Sequence, residues 1–367
     1  MAVAGSIMAQ YIFSPEYYGY KITEDLAVFS AKPRDRRPLP ADVDVQSATD
    51  DAAEDDPRSY FVEKPYYRTL CEDPRENLRY LYKPLSDKYP LDLTLGILRR
   101  TEKNTMNEHI SLLLECLKKH SIKPSKGEFV CKRSCLQHIG TSLYDCENIT
   151  FDRELKIAVQ KYKGVYFICE FKQPQDLMCH EQLNSYSGLK FESYVTSEKG
   201  KKPKHKGPLD FNYDFNIVVK ARLKFHSLIV SGEVDCCLEE DNSYVELKTN
   251  WQAIEIKEYK CVSWWMQSYL LGVRHVYCGF KNKQLKVTYC DKFSLPELKQ
   301  KISPKKPGPR DYMDYIDTFL TNVRRNVVKE LVPYVYIRPQ GERQFNEVKK
   351  NIECKFLPLW LFEDGLW

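Results

Sequence analysis

The chain is 367 residues long, with 43% hydrophobic and 13% aromatic residues, which is ample for a sizeable core. Its 56 basic and 51 acidic residues leave a net charge of +5, which permits an anionic partner through a local patch without requiring one. The first 13 residues lack a basic leader region and no apolar run approaches the roughly 20 residues of a membrane span, so neither a secretory leader nor a membrane anchor is expected.

In chain order, alternating aromatic and β-branched positions over 9–31 (Tyr11, Phe13, Tyr20, Ile22, Val28) predict one or two strands. The stretch 31–57 carries Pro33, Pro38 and Pro40 and an acidic run ending at Asp56. It lacks periodicity, and its acidic part, 41–57, reads as a flexible segment. Ile110, Leu113, Leu114 and Leu117 recur with helical spacing over 107–120. The segment 129–144 reads as helical or irregular and carries Arg133 among apolar neighbours. Residues 155–162 and 165–171 read as a hairpin turning at Lys163-Gly164. A helix is expected over 181–196, carrying Glu192. The run Lys199 to Lys206 (KGKKPKHK) is either a solvated loop or a phosphate contact or import signal. A further helix is expected over 212–223, containing Arg222, before an apolar strand at Leu228-Ile229-Val230.

Beyond that strand, 254–271 has a strong helical stripe (Ile256, Tyr259, Val262, Trp265, Met266, Tyr269), carries Gln267 and ends at Gly272. Strands are expected at 275–280 and 285–289, a helix at 311–331, short strands at 334–337 and 345–348, and a buried tail at 356–360. Strands and helices interleave without a regular βαβ rhythm. That predicts an α+β (mixed α/β) class, two mixed β-sheets flanked by helices in a single compact domain over 1–367. Thirteen cysteines at irregular spacing contain no CxxC, and Cys131 and Cys135 lack a matching second pair. They read as reduced thiols acting as small apolar residues in a cytosolic or nuclear protein.

The stretch that organises the rest is Ser231-Gly232-Glu233-Val234-Asp235, answered by Val245-Glu246-Leu247-Lys248. Side chains alternate along a strand, so Glu233 and Asp235 share one face, and so do Glu246 and Lys248. Asp241-Asn242-Ser243 reads as a turn, so the two strands would pair as a hairpin. Three carboxylates on one sheet face need a compensating cation. Lys248 supplies one charge, and Mg²⁺ or Mn²⁺ would supply the rest and activate water beside a phosphate. On spacing alone, a solvated edge hairpin is the other reading.

The Glu-x-Asp and Glu-x-Lys strands are similar to those of PD-(D/E)xK nucleases. A longer set of motifs resembles the DXO family of RNA decapping enzymes: Ser231 to Cys236, Tyr244 to Thr249, Trp264-Trp265-Met266-Gln267-Ser268, Gly279-Phe280, Gly188 to Glu192, Phe129 to Arg133 and Phe356-Leu357-Pro358. The likeness covers about 125–360. It implies that Glu192, Glu233, Asp235 and Glu246, with the Leu247 carbonyl, hold a pair of Mg²⁺ or Mn²⁺ ions. It also implies that Lys248 and Gln267 contact the phosphate under attack, and that Arg133 and Arg222 hold RNA phosphates. The family often has an aromatic before and a glycine after the first arginine, and a glycine where this chain has Lys224; here Lys132 and Ser134 flank Arg133.

The resemblance further implies a monomeric, nuclear hydrolase that removes unmethylated guanosine caps, NAD caps or 5′ triphosphates from RNA 5′ ends. Some members of the family degrade RNA 5′ to 3′, and fungal relatives suggest a docked 5′–3′ exoribonuclease partner. Two other functions compete: a scaffold of the same fold that binds RNA ends or partners, and a DNA endonuclease of PD-(D/E)xK type.

Overall fold

A computed structural model describes residues 18–33, 57–62, 68–84, 86–99, 101, 108–145, 153–171, 179–205, 209–252, 255–345 and 347–363. The acidic segment 41–57, save Pro57, and the strand expected before residue 18 lie outside them. The early strands are β1 (Lys21–Pro33), β2 (Arg68–Leu70), β3 (Tyr80–Leu81), β4 (Leu91–Asp92) and β5 (Phe129–Lys132). The middle ones are β6 (Leu155–Tyr162), β7 (Val165–Glu170), β8 (Thr196–Ser197), β9 (Asp214–Arg222), β10 (Ser227–Glu233) and β11 (Cys236–Cys237). They are followed by β12 (Tyr244–Trp251), β13 (His275–Lys281), β14 (Lys286–Ser294), β15 (Tyr334–Arg338) and β16 (Glu347–Lys350). The helices are α1 (Ser111–Lys119), α2 (Arg133–Asp145), α3 (Cys179–Val195), α4 (Glu258–Tyr269), α5 (Leu295–Gln300), α6 (Pro309–Asn326) and α7 (Leu359–Glu363).

Among the described residues these strands form a nine-stranded sheet, β16-β15-β6-β7-β5-β10-β9-β1-β2, and a seven-stranded sheet, β4-β14-β13-β12-β11-β3-β8. Both are mixed: β5 runs parallel to β7 and β10, and β12 runs parallel to β13. The two mixed sheets flanked by helices are the architecture expected from the interleaved elements.

Strand alternation explains how the large sheet serves two cores. Phe129, Cys131, Leu228 and Val230 face the core under α2, α4 and α6, while Val130 and Ile229 between them face the core under α1 and the C-terminal tail. Phe356 and Leu357 of that tail are fully buried, as expected. A third core lies between α3 and the smaller sheet, around Phe191, Val195, Val245, Leu247 and Tyr277. Eleven cysteines whose side chains are described are free, and of these all but Cys290 are buried.

Two expectations are corrected. The helix expected over 212–223 is instead strand β9, Asp214–Arg222. Phe215, Ile217, Val219 and Ala221 face one core and alternate with Asn216, Lys220 and Arg222, and only Val218, buried in the other core, interrupts the period of two with the apolar run Ile217-Val218-Val219. The two acidic strands also do not pair with each other. Glu233 ends β10 in the large sheet opposite Asn216, whereas β12 belongs to the smaller sheet. Only Cys236 and Cys237 pair with Val245 and Tyr244, across the turn where Asn242 takes a positive φ of 56°. In addition, the segment 129–144 opens as strand β5 before it becomes α2.

Two buried contacts fix the walls around the sheet junction. Arg68, 3% exposed, donates from Nε to Glu108 at 2.7 Å and from Nη1 to Asp214, at the start of β9, at 2.5 Å. Asn216 in turn donates to Asp214 at 2.8 Å, and Asn216 is the partner of Glu233. Burial would raise the Glu108 carboxyl, but Lys132 and Arg68 outweigh it and hold its pKa below the ordinary value. Replacing Arg68 with Met strands two buried carboxylates. It should lower unfolding free energy by about 3–5 kcal/mol in a denaturant titration at neutral pH. A depressed carboxyl pKa contributes stability that is complete above the unfolded pKa of about 4.3 and lost as pH falls through the folded value. The wild-type advantage over Arg68→Met should therefore shrink only in acid; an advantage constant to pH 2 would contradict the ion pairs.

The second contact places α3. A Cβ at Gly279 of β13 would lie 2.5 Å from the Phe191 ring, so only glycine lets α3 approach this closely. Gly279→Ala should destabilise the protein by about 1–3 kcal/mol as Phe191 is pushed off the sheet. An unchanged melting curve would show that the helix seat is not set by this glycine.

Candidate active site

The chain leaves the large sheet at Glu233 and enters the small one at Cys236, and this crossover places the carboxylates. Asp235, within the crossover, accepts the Leu247 N–H of β12 at 2.6 Å. On β12, Leu247 points into the third core while Glu246 and Lys248 turn to the other side. Glu246 is 1% exposed. Its Oε1 accepts from Lys248 Nζ at 2.5 Å and from Nε2 of Gln267 on α4. Its Oε2 lies 3.5 Å from Nη1 of Arg133, the first residue of α2. The same Nη1 donates to the Glu233 carbonyl at 3.0 Å. Arg133 reaches this point because position 232 is glycine: a Cβ there would sit 2.9 Å from its own Cβ.

The cluster opens onto a cavity of about 600 Å³ whose lining includes Glu192 of α3, Glu233 and Asp235. Of the predicted residues, the structure brings Glu192, Glu233, Asp235, Glu246, Leu247, Lys248, Gln267 and Arg133 to one place. It does not bring Arg222. That residue pairs with Ser227 at the far end of β9, six residues from the Asn216–Glu233 pair, or about 20 Å along the strand.

The charges are unevenly matched. Burial pushes the Glu246 carboxyl up, but Lys248 and Arg133 outweigh it and keep it ionised. Burial lowers the Lys248 ammonium, yet Glu246 and Asp235 more than restore it. Asp235 goes the other way. Burial, then the charges of Glu246 and Glu192, raise its pKa well above the usual range, against Lys248 and the Leu247 N–H. Nε of Arg133 is buried without a hydrogen-bond partner. The cluster thus lacks positive charge where it meets the cavity, and it holds one spare buried donor suited to an anion.

Among the described residues no three His, Cys, Asp or Glu side chains are gathered into a ready-made metal cage. Glu246 is committed to Lys248, Gln267 and Arg133, and Asp235 to Leu247. The donor set nevertheless fits a hard divalent cation. It consists of carboxylate oxygens from three elements facing one cavity, and a cation beside Asp235 would restore the ionised form that its neighbours disfavour.

The cavity also has basic lining. Lys201, Lys202 and Lys204, from the lysine-rich run, border it together with Arg79. The run is tied down over α3: Lys190 Nζ donates to the His205 carbonyl at 2.5 Å and the His205 ring stacks on Tyr194 at 4.6 Å. Lys201 and Lys204 share Glu198, an exposed pairing that holds the loop's shape more than it removes its charge. Arg79 escaped sequence reading because it lies in a short irregular segment 113 residues before Glu192, with no motif around it.

A family model described as "RAI1 like PD-(D/E)XK nuclease" matches residues 60–362. The decapping and exoribonuclease protein of Xenopus laevis is 26% identical over 264 residues, covering 65% of this chain and 64% of that relative. The chain therefore spans just under two thirds of that relative's length. Among solved structures, Candida albicans Rai1 in complex with pU5-Mn²⁺ aligns with a TM-score of 0.66 and 18% identity, over 89% of each chain. Scheffersomyces stipitis Rai1 in complex with (3′-NADP)⁺ and calcium ion aligns with a TM-score of 0.65 and 18% identity, over 77% of this chain and 86% of that one. These two likenesses establish the shared fold. With the family match extending over most of its length, the chain belongs to the RAI1-like PD-(D/E)XK nucleases.

Proposed function

We propose that this protein is a metal-dependent phosphohydrolase acting on RNA 5′ ends, removing unmethylated guanosine caps, NAD caps or 5′ triphosphates. The observation that carries the reading is one cavity lined by both Glu192, Glu233 and Asp235 and by Lys201, Lys202 and Lys204. Carboxylates and lysines around a shared space of about 600 Å³ suit a phosphate chain bridged to cations. The ligands of the fungal relatives, pU5 with Mn²⁺ and (3′-NADP)⁺ with calcium, support the same substrate class.

Mg²⁺ or Mn²⁺, in this reading a pair, would be held by Glu192, Glu233, Asp235, Glu246 and the Leu247 carbonyl, and would neutralise phosphate oxygens and acidify water. The chain's own groups do the rest. Arg133 offers its unpartnered Nε to a phosphate oxygen, while its Nη1 keeps Glu233 and Glu246 in register. Lys248 stabilises negative charge developing on the phosphorus-bound oxygens. Gln267 fixes the Glu246 carboxylate and presents its amide to the same phosphate.

The double variant Glu233→Ala/Asp235→Ala should lose cap removal to background, with Mg²⁺ or Mn²⁺ present and the circular dichroism spectrum unchanged. Lys248→Met should lose about 10²–10³-fold in kcat. Retained turnover in the double variant would end the assignment. A panel of 5′ ends in the same assay ranks guanosine-capped, NAD-capped and triphosphorylated RNA.

The basic lining has a separate signature. Changing Lys201, Lys202 and Lys204 together to Gln should weaken binding of single-stranded RNA and lower the slope of log K against log salt by about 2. Equal slopes for variant and wild type would show that the run only faces solvent.

A further inference from the structure

A second cavity, of about 420 Å³, lies at the carboxyl end of β12, and Asn184, Asn250, Trp251, Tyr259, Lys260 and Lys281 line it. Lys281 is only 3% exposed. Its Nζ donates to Ser187 Oγ at 2.8 Å and Asn184 Oδ1 at 3.3 Å, and lies 5.1 Å from the Trp251 ring centre. Lys260 Nζ donates to Asn250 Oδ1 at 2.8 Å. Among the described residues neither ammonium meets a carboxylate; all their partners are neutral. The charged neighbours are more lysines: Lys260 depresses Lys281, and Lys257 depresses Lys260. The nearby Cys278 thiol is no counter-ion, because burial pushes its pKa far up and keeps it neutral.

A buried ammonium without a counter-charge is costly, and a pair facing one cavity is more so. Burial, then Lys260, brings the pKa of Lys281 down to about 8. A bound anion removes the penalty, and the half-buried rings of Trp251 and Tyr259 offer flat apolar surface beside it. The position is also specific. Asn250 follows Lys248 by two residues on the same face of β12, a step of about 7 Å, comparable to one backbone repeat of an extended single strand.

We propose that this cavity is a phosphate subsite of the substrate chain, in which Lys260 and Lys281 hold the phosphodiester one nucleotide away from the phosphate that is cut, with the attached base against Trp251 and Tyr259. The placement rests on the reading of the Glu192–Lys248 cluster as a phosphate-cutting site. The charge argument for an anion is independent of that reading.

The test is calorimetric binding to the full chain without metal, using a 5′-phosphorylated RNA trinucleotide and the same trinucleotide with a neutral methylphosphonate at its first internucleotide linkage. Wild type should bind the phosphodiester about tenfold more tightly. Lys281→Met should lose that tenfold on the phosphodiester and leave methylphosphonate binding unchanged, and Lys281→Arg should restore it. Lys260→Met provides the same comparison through a half-buried position. Binding should take up about half a proton at pH 8 in wild type and none in Lys281→Met, because an anion raises a lysine that titrates near 8. Affinity should fall as pH rises through that value. A purely structural lysine would instead lower the melting temperature when replaced and weaken both ligands alike. That result, or equal wild-type affinity for the two trinucleotides, overturns the subsite. Binding of free uridine monophosphate as tight as that of the trinucleotide overturns its placement on the chain. The two readings fail separately: preserved discrimination in a protein that cuts no RNA with Mg²⁺ or Mn²⁺ sinks the catalytic assignment alone, and efficient cutting without discrimination sinks the subsite alone.

Discussion

The two sheets share the core under α2, α4 and α6 and meet at a point where like charges crowd, and Arg133 makes that junction tolerable. One of its nitrogens touches the last carbonyl of β10 in the large sheet and the Glu246 carboxylate of β12 in the small one. Asp235 ties the same junction from the other side through the Leu247 N–H. Without a cation between them, Glu233, Asp235 and Glu246 would repel across a poorly solvated gap. The pKa of Asp235 is raised first by burial and then by the charges of Glu246 and Glu192, which Lys248 and the Leu247 N–H offset only in part. Structure and chemistry meet in the residue: the residual charge imbalance that strains the junction also invites a divalent cation.

Small residues set the distances on which this depends. Gly232 admits the stem of Arg133 and Gly279 admits the ring of Phe191, so a helix start and a helix middle both reach the junction. The Phe191 ring lies over Gly279, and Glu192, next in sequence, is thereby carried to the cavity wall. A bulkier residue at either glycine would change the site's geometry from beneath, without touching a carboxylate.

Local patterns carried much of this architecture into the sequence. The Lys163-Gly164 hairpin, the stripe of α4 and the apolar run Leu228-Ile229-Val230 of β10 depend on near neighbours and are readable. Strand β9 does alternate, with Asn216, Lys220 and Arg222 between its core residues, but the apolar run Ile217-Val218-Val219 interrupts the pattern and hides the strand. The hairpin expectation failed for a different reason. The spacing of Glu233, Asp235, Glu246 and Lys248 defines what converges but not which sheet each strand joins, and the crossover at Asp235 divides them. Arg222 illustrates the limit of carrying motif roles by position: its register with Ser227 puts it at the wrong end of the strand. Lys260 and Lys281 carry no local signal, since their juxtaposition across α4 and β13 exists only after the small sheet has formed.

The nearly balanced composition conceals a polarised interior. Lys201, Lys202 and Lys204 share one cavity with the carboxylates, while Lys260 and Lys281 line a second beside Asn250, which is two residues beyond Lys248 on β12. A net charge of +5 spread evenly would give weak, unselective attraction. Gathered into two cavities, one of which also holds the carboxylates, the same lysines would suit the proposed phosphate chain better than scattered charge. A cation among the carboxylates would lower the repulsion that a phosphate meets there. Selectivity for a phosphate chain over an isolated anion would then come from the spacing of the two lysine groups, and α3 sets it, since α3 borders both cavities and β12 only the second.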